Sequence, residues 1–461
     1  MKLKLSLFLL AFTTFITYSQ KQWTLKECVD EALKKNISIQ QNRLTLELAK
    51  KDVDFAKGNF LPNLGFNNSH RGSFGLSSGI SGVNTTEDRY STSFSLNAGG
   101  TIFNGFRNTN TYKQAQLGVE SSLLDLQKIE NDVSLRIVDG YLNILFAKEN
   151  LEVAKVQYQI SNKQIEAAKA RFESGVIPKG DLLNVESTAA SNLQGVITQE
   201  NNLDLALLNL AQLLQVSING FDIVSIDVGT PSASLFYKNS DFVYEKSLET
   251  MPEISRAKLA IDNANYNIDI AKGAYMPSLT YSAGSNTSYF TVIGEPDQRL
   301  KRDENGNPII DNNNNLVYEP FGFSKQLEDQ LSYSVGFNLN IPIFNRFQTK
   351  NRVAQQEINK LISETRLESE KLILKQTIEQ AFLDVKTALK AYEAAKISLE
   401  AQDEAFKNAQ ESYNFGTTTQ FDFDQVRTRL VNAQATLIRS KYDYVFKTKI
   451  LQFYSGELVF E

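Results

Sequence analysis

The chain has 461 residues, and its 22% of charged residues leave a formal net charge of only −5. Because charges of both signs nearly balance, the surface lacks the basic excess that attracts nucleic acid, and we expect no nucleic-acid partner. The single cysteine, Cys28, excludes an internal disulfide and a thiolate metal cluster. Cys28 occupies an apolar position of a short predicted helix, so we expect its side chain to be buried.

The first twenty residues have the pattern of a cleaved secretory signal. Lys2 and Lys4 precede an apolar stretch of about 12 residues, whereas a helix that spans a bilayer needs ~20. We therefore expect a signal peptide over residues 1–19, with an uncleaved anchor as the alternative. The rest of the sequence contains no run of 18 apolar residues. We therefore expect the mature chain either to be exported and soluble or to cross a membrane as a closed barrel.

The remaining sequence contains two copies of one unit. AKGNFLPNLGF begins at residue 56, and AKGAYMPSLTY follows 215 positions later. The Ile-Phe-Asn triplet at 102–104 recurs at 343–345, and Gly175 recurs as Gly416, both at an offset of 241. A repeat of this length indicates a duplicated domain and not a solenoid array.

Each copy begins with a predicted β-hairpin. Residues 333–341 alternate large apolar side chains with small polar ones, and residues 90–97 do the same in the first copy. Each strand is about nine residues long, which is the length of a tilted membrane strand. With weaker partner strands upstream, the hairpins are predicted at about 60–98 and 276–341.

Four strands cannot close a transmembrane barrel, which in bacteria needs at least about eight. The open edges of a four-stranded sheet would leave backbone groups unsatisfied in lipid. If these are membrane strands, the barrel is shared between chains, and the sequence predicts an oligomer.

A long helix follows each hairpin. No proline occurs between residues 106 and 172, and neither proline nor glycine occurs between residues 347 and 413. At 1.5 Å per residue, a helix of this length extends for ~100 Å, far beyond a compact domain. Apolar residues at 4-3-4-3 spacing predict a coiled-coil seam: Ile378, Phe382, Val385, Leu389 and Tyr392, matched by Ile137, Tyr141, Ile144, Lys148 and Leu151. Lys148 is the one charged interruption of this seam.

Together these features resemble the TolC family of outer-membrane efflux proteins. The resemblance extends from Trp23 to Tyr454 and rests on three motifs, each present twice and in the same order. They are AKxxxxPxL before a hairpin, Ile-Phe-Asn after it, and F-x-x-G followed six residues later by Asp, with Tyr413 in place of the phenylalanine in the second copy. The implied fold is a mainly α, α+β membrane protein: a trimeric 12-stranded transmembrane β-barrel, four strands from each chain, continuous with a periplasmic α-helical coiled-coil tunnel.

The resemblance also implies how the chain is divided. Two tandem repeats are expected at 20–230 and 231–461, with a belt segment near 217–248. The expected helices are long helices at about 106–172 and 347–413 and return helices at about 181–216 and 421–454. Proline blocks helix continuation and suits a strand terminus, so Pro62, Pro277 and Pro342 are expected at the helix–strand joints.

The turns between long and return helices are the predicted periplasmic tips. Gly175 and Gly416 are expected to end the long helices in the left-handed conformation, and Asp181 and Asp422 to cap the return helices. By resemblance, the tips also form a closed, cation-selective aperture, for which the candidate residues are Asp181, Asp422, Asp424 and Lys179. The chain departs from the family pattern at two positions, where Thr418 replaces an arginine and Gln425 an acidic residue.

The implied function is a passive exit duct in the outer membrane of a Gram-negative bacterium, with the helical tunnel in the periplasm. The implied partners are two further copies of the chain, outer-membrane lipid, a periplasmic adaptor (membrane fusion protein), and an inner-membrane efflux pump or ABC transporter. No cofactor is expected. The alternative is a structural or adhesive exported coiled-coil surface protein. A diffusion porin is disfavoured because more than half of the chain is predicted to be helical.

The sequence offers little support for an enzyme. His70 is the only histidine, and the glycine clusters lack the spacing of phosphate-binding loops. The segment DENGNPIIDNNNN at 303–315 resembles a calcium loop, but its glycine is at the fourth position and an EF-hand requires the sixth. We expect His70 at the surface and residues 303–315 in a solvated loop.

Overall fold

The computed structural model describes residues 22–78, 84–86, 88–226 and 237–457. The predicted signal peptide at 1–19 and part of the predicted belt lie outside these residues. The chain forms two compact units. The helical unit contains the residues up to 47, 120–259 and 364 onwards, and the sheet unit contains residues 48–119 and 260–363.

Nine α-helices, one short 3₁₀ helix (Gly273–Tyr275) and ten strands lie within the described residues. The helices are α1 (Leu25–Lys35), α2 (Ile37–Gly58), α3 (Arg107–Glu173), α4 (Lys179–Leu214), α5 (Ser240–Thr250), α6 (Pro252–Lys272), α7 (Phe323–Asp329), α8 (Gln348–Asn414) and α9 (Gln420–Tyr454). The strands are β1 (Gln22–Trp23), β2 (Asn63–Ser73), β3 (Leu76–Ser78), β4 (Asn84–Thr86), β5 (Arg89–Phe103), β6 (Asp222–Ile223), β7 (Ser278–Val292), β8 (Gln298–Leu300), β9 (Tyr318–Pro320) and β10 (Ser332–Asn340).

The long helices α3 and α8 have 67 residues each. Each begins and ends one residue later than the sequence indicated. Most of the predicted seam is buried, including Ile137 and Ile378, which have no exposed surface. Apolar burial along the seam is what holds helices of this length, since their own propensity contributes little. Within the described residues, none of the helices has an apolar stretch long enough to cross a membrane.

The core of the helical unit gathers around α3. Buried side chains of α1, α3 and α4 pack together there, and Cys28 is fully buried among them, as predicted. Helix α1 begins with a capping box, in which Thr24 and Glu27 satisfy each other's backbone N–H groups. The core therefore fixes α1 against the middle of α3.

The main sheet of the sheet unit has four strands in the order β10-β7-β5-β2, and all neighbours are antiparallel. The two outer pairs, β2 with β5 and β7 with β10, are hairpins. Strands β5 and β7 each have 15 residues, where the alternation had indicated about nine. They are longer because they pair with each other from Arg89 opposite Val292 to Phe103 opposite Leu279.

The register of the sheet separates its side chains into two faces. Large apolar side chains share one face: Leu64, Phe66, Phe94, Leu96, Leu279, Tyr281, Val335 and Phe337. Small polar residues and glycines share the other: Asn67, Ser69, Ser93, Ser95, Ser282, Gly284, Ser334, Gly336 and Asn338. We refer to them as the apolar face and the polar face.

Near the loop end, the apolar face carries polar groups that bond to one another. His70 lies on β2 and is exposed, and its Nδ1 is 2.7 Å from the hydroxyl oxygen of Tyr90. Thr92 Oγ1 donates to Asn68 Oδ1 at 3.1 Å. The histidine is therefore at the surface, as expected, but on a strand.

The joints between sheet and long helices have the same backbone twice. Pro62 and Pro277 immediately precede β2 and β7, and Pro342 follows β10 by two residues. Gly105 and Phe106 have φ of 70° and 62°. Arg346 and Phe347 have φ of 55° and 61°, so two consecutive left-handed residues lead into each long helix.

Candidate functional site: the helical tips and the sheet wall

Both tip turns end their long helices in the same way. Gly175 has φ of 75° and Gly416 has φ of 73°, a conformation that glycine adopts without steric cost. The next residue closes the turn: Val176 N donates to the carbonyl oxygen of Arg171 at 2.8 Å. This hydrogen bond spans a turn of six residues, from Arg171 to Val176. Thr417 N makes the equivalent bond to Ser412 at 2.9 Å, which gives both helices a Schellman-type end.

The return helices begin earlier than expected, and the expectation that Asp181 and Asp422 cap them was wrong. The capping residues are Pro178 and Thr419. Asp181 and Asp422 are each the third residue of the helix, where a carboxylate is favoured by the partial positive charge of the helix N-terminus. Thr419 accepts a hydrogen bond from the backbone N–H of Asp422 and donates its hydroxyl to the carboxylate at 2.7 Å.

A cavity of about 720 Å³ lies between the two tip turns of one chain. Asp181 and Asp424 both line it, together with Arg171, Tyr413 and the residues from Gly416 to Phe421. Lys179 and Asp422 do not line this cavity, and both are exposed. The structure therefore brings two of the four candidate aperture residues into one site and leaves the other two on its outside.

Arg427 is the main residue of the tip that sequence reasoning missed. It is only 4% exposed, and its guanidinium lies 2.9 Å from Asp424 Oδ1 and also donates to Gln164 Oε1 of α3. Burial lowers the pKa of Arg427, and the charge of Asp424 opposes that shift. The local signal for the pair was the i, i+3 spacing of Asp424 and Arg427 on one helix.

An aromatic group packs beside this ion pair. The ring of Tyr413 stacks on Phe423 with centroids 5.0 Å apart, and the guanidinium of Arg171 lies 5.4 Å from the Tyr413 centroid. Burial raises the pKa of the Tyr413 hydroxyl, and the neighbouring charge of Arg171 opposes that shift. Arg171 thus connects α3 to the end of α8, and Arg427 connects α9 to α3, within one chain.

Lys148 has a specific partner that explains the interrupted seam. Its Nζ lies 2.6 Å from Asp222 Oδ1 and donates to the carbonyl oxygen of Ile223 at 2.9 Å. The hydroxyl of Tyr141 donates to the carbonyl oxygen of Val224 at 2.7 Å. These bonds attach β6, which pairs in parallel with β1, to the middle of α3.

The described residues contain no group of three or more His, Cys, Asp or Glu side chains that is placed to hold a metal ion. In the former calcium candidate, Asp303 Oδ1 accepts the backbone N–H groups of Asn305 and Asn307. Asp311 does the same eight residues later with Asn313 and Asn315. These carboxylates stabilise their own turns.

Comparison with known proteins agrees with this architecture. The sequence profile of the family "Outer membrane efflux protein" matches residues 28–215 and 243–457. Outer membrane protein TolC of Escherichia coli is 22% identical over 438 residues, which cover 95% of this chain and 82% of that protein. TolC of Vibrio cholerae is 25% identical over 330 residues, or 70% of this chain and 67% of that protein. The crystal structure of the Campylobacter jejuni CmeC outer membrane channel superimposes with a TM-score of 0.71 at 18% identity, covering 94% of this chain and 86% of that one.

The family match, together with this fold, therefore defines a channel protein of the outer membrane. The chain belongs to the outer membrane efflux protein family. It functions as an outer-membrane channel for efflux or type I secretion, and the alternative of an adhesive surface fibre loses its support.

Proposed function

We propose that three copies of this chain close their sheets into one 12-stranded transmembrane barrel, continuous with a periplasmic tunnel of their long helices. The observation that carries the proposal is the sheet, which has one apolar face, one polar face and two edges that pair with no other strand of the described residues. An apolar face suits lipid and a polar face suits a water-filled lumen. A coiled-coil surface fibre would need neither face.

The edges of the sheet support sharing between chains. Strands β2 and β10 form the edges, and Phe66 and Phe337 on them are 66% and 71% exposed. Unpaired backbone groups cannot remain in the hydrocarbon region, where each costs several kcal/mol. Because β2 and β10 run in opposite directions, β2 of one copy continues the antiparallel order beside β10 of the next. Three copies give twelve strands, the number that the TolC-family resemblance implies.

The helices support the same assembly. Exposed apolar side chains of α2 recur at intervals of 7, 4 and 7 residues, which places them on one side of the helix: Ile37, Leu44, Leu48 and Phe55. Helix α8 also exposes apolar side chains: Ile358, Leu361, Ile362 and Leu372. We infer that neighbouring copies cover these rows. The equal lengths of α3 and α8, which begin 241 residues apart, fit two tandem repeats that occupy similar positions around the tunnel.

We infer further that the channel is passive and works in a tripartite system. The sequence has no nucleotide-binding loop, so an energy source has to be supplied by another protein. An inner-membrane efflux pump or ABC transporter would deliver the cargo, and a periplasmic adaptor would join that transporter to the helical tips.

Two neighbouring residues on opposite faces of β10 test the barrel. Phe337→Lys places a charge on the apolar face, which costs roughly 2–4 kcal/mol near the bilayer midplane. Asn338→Lys places the same charge on the polar face and is the matched control. We expect Phe337→Lys to reduce the heat-sensitive trimer recovered from outer membranes, while Asn338→Lys keeps wild-type amounts. Equal recovery of both variants, or a wild-type chain that is soluble and monomeric, would contradict the barrel.

The tips are proposed as the closed periplasmic aperture, lined by Asp181, Asp422, Asp424 and Lys179. Like charges repeated around a narrow axis attract cations. Asp422 is exposed, whereas the charge of Asp424 is compensated by Arg427 within the chain. In planar bilayers, we expect Asp422→Asn combined with Asp424→Asn to weaken cation selectivity, with Asp422→Asn alone giving most of the change. Unchanged selectivity and conductance in the double variant would refute the assignment.

A further inference from the structure

Aromatic rings form a continuous row across the loop end of the apolar face. The ring centroid of His70 on β2 lies 6.1 Å from that of Tyr90 on β5. Tyr90 lies 6.4 Å from Tyr289 on β7, and Tyr289 packs edge-on against Phe323 of α7 at 5.1 Å. We refer to these four side chains as the aromatic row. The row crosses three strands and ends on the helix of the loop between β7 and β10.

The register of the sheet explains why three of these rings share one face. His70 and Tyr289 both lie opposite Thr92, and Tyr90 is two residues before Thr92 on the same strand. On the side of the helix joints, Phe94 is the next residue of this face. The row therefore marks the level at which the apolar face changes from purely apolar side chains to tyrosine and threonine. In the proposed barrel, such a change is typical of the membrane surface.

Hydrogen-bonding groups accompany the rings. The Tyr90 hydroxyl oxygen is 2.7 Å from Nδ1 of His70, and the Tyr289 hydroxyl donates to Asp297 at 2.6 Å. His70 and Asn68 are both exposed and bring an imidazole and an amide to the same edge of the row. This combination suits a sugar, because the C–H groups of a pyranose pack on aromatic faces while its hydroxyls bond to polar groups at their margins.

The neighbourhood of the row offers little charge for a phosphate group. On the described strands β2, β5, β7 and β10, none of the apolar-face positions is Asp, Glu, Lys or Arg. In the adjoining loop, Arg299 pairs with Glu319 and Asp329. Lys325 of α7 pairs with Glu328 and Asp329. Recognition through the row therefore depends on rings and hydrogen bonds, which favours a sugar over a phosphate.

We propose that the aromatic row binds the sugar headgroup of a glycolipid at the outer surface of the membrane. This inference rests on the proposed barrel, in which the apolar face meets lipid. Aromatic residues at the interface are expected of any membrane barrel, but here the rings contact one another and are extended by a loop helix.

A membrane-anchored sugar fits better than a soluble one. Phe66 and Leu96, which lie opposite each other on the joint side of the row, are 66% and 46% exposed. The acyl chains of a glycolipid would cover these side chains while its head contacts the row, so that apolar burial adds to the sugar contacts. A soluble sugar would leave them bare.

Lipopolysaccharide with a short sugar core is the probe, because its head consists of sugars and its acyl chains enter the bilayer. The purified trimer in detergent is titrated with it, and bound lipid is counted by native mass spectrometry. Wild type should bind this probe at several-fold lower concentration than phosphatidylglycerol, an anionic lipid without a sugar ring. Tyr90→Leu combined with Tyr289→Leu keeps the face apolar and should need a several-fold higher lipopolysaccharide concentration, with phosphatidylglycerol binding unchanged.

Two single variants complete the test. Phe323→Leu removes one ring of the row without altering a strand and should weaken lipopolysaccharide binding in the same direction. Phe94→Leu removes a ring of the same face outside the row and should bind as wild type.

The possible failures are distinguishable. Equal lipopolysaccharide binding by wild type, the double variant and Phe323→Leu would overturn the site and leave the channel intact. Equally tight binding of deacylated lipopolysaccharide would overturn the glycolipid in favour of a soluble sugar. A wild-type protein that forms neither a trimer nor a conducting pore in planar bilayers would instead overturn the proposed barrel.

Discussion

A single lysine in an apolar seam shows how one residue attaches a distant segment to a long helix. Lys148 lies where the heptad pattern calls for an apolar side chain, yet its amine reaches both the carboxylate of Asp222 and the carbonyl oxygen of Ile223. Burial alone would raise the pKa of Asp222, but the hydrogen bonds from Lys148 and from the Ile223 N–H outweigh it, and that pKa is lowered. The charge therefore stabilises the contact between α3 and β6.

We predict that Lys148→Met destabilises the helical unit by about 1–2 kcal/mol, because a partly buried carboxylate and a carbonyl group lose their donor. Lys155→Met is the control, since Lys155 and Glu200 form an exposed pair at 4.0 Å. Thermal unfolding in detergent measures the difference. Equal transition temperatures for the two variants would contradict this account.

The same ion pair predicts a pH dependence with a definite sign. Because the pKa of Asp222 is lower in the folded chain, its contribution is full above the ordinary aspartate pKa of about 3.9 and is lost as pH falls through the lowered value. Between neutral pH and pH 5, the stability gap between wild type and Lys148→Met should stay constant. Below about pH 4 it should narrow, as measured by unfolding transitions across that range.

At the scale of elements, one short helix replaces a strand. Strand β10 begins at Ser332, opposite Asn286, so the loop end of β7 has no neighbour on that side. The side chain of Gln326 from α7 fills the position: its Oε1 accepts the Phe290 N–H and its Nε2 donates to the Phe290 carbonyl oxygen, both at 2.9 Å. One amide thus mimics a strand residue and covers the edge.

We expect Gln326→Ala to leave both backbone groups of Phe290 unpaired and to speed amide hydrogen exchange at residues 288–292 by roughly tenfold, for a loss of about 1–2 kcal/mol. Lys325→Ala changes the exposed neighbouring residue of the same helix and should leave exchange in β7 unaltered. Exchange that is equally fast in both variants would show that α7 covers the edge without help from Gln326.

The local sequence pattern predicted the positions of the long helices better than it predicted the contacts between elements. The long helices were placed to within one residue, because an apolar seam with a single interruption and the absence of proline are properties of the local sequence. Helices α4 and α9 begin earlier than predicted, because Pro178 and Thr419 cap them and the aspartates already lie inside the first helical turn. The contacts that Arg427 and Lys148 make with other elements were missed, because their partners Gln164 and Ile223 are far away in sequence and periodicity does not report such pairs.

At the scale of the whole molecule, the joints suggest how copies meet. A β-carbon at residue 105 would lie 2.3 Å from the carbonyl oxygen of Gly273, so the two joints touch through glycine backbones. By the sequence offsets, Arg346 corresponds to Gly105, and Gly58 corresponds to Gly273. Apart from the adjoining residues and backbone of its own helix, no atom of the described chain lies within 4 Å of the position of a β-carbon on Gly58. We infer that Gly58 of one copy faces Arg346 of the next.

We therefore predict that Gly58→Cys combined with Arg346→Cys gives disulfide-linked species on oxidation, with a ladder that ends at three chains in denaturing gels without reductant. The single variants Gly58→Cys and Arg346→Cys are the controls. They also show whether either new cysteine forms a disulfide with the native, buried Cys28. A double variant that stays at the mass of one chain would contradict this contact, and a ladder that ends at another number would revise the copy count.

The even number of strands in each sheet has a geometric consequence. With four strands per chain, the first and last point in opposite directions, so any number of copies can join edge to edge without ever placing two strands parallel. Strand direction therefore places no limit on the size of the ring. In the proposed ring, the number of copies would therefore have to be set by the curvature of the sheet wall and by how the long helices pack around the axis, and not by strand direction.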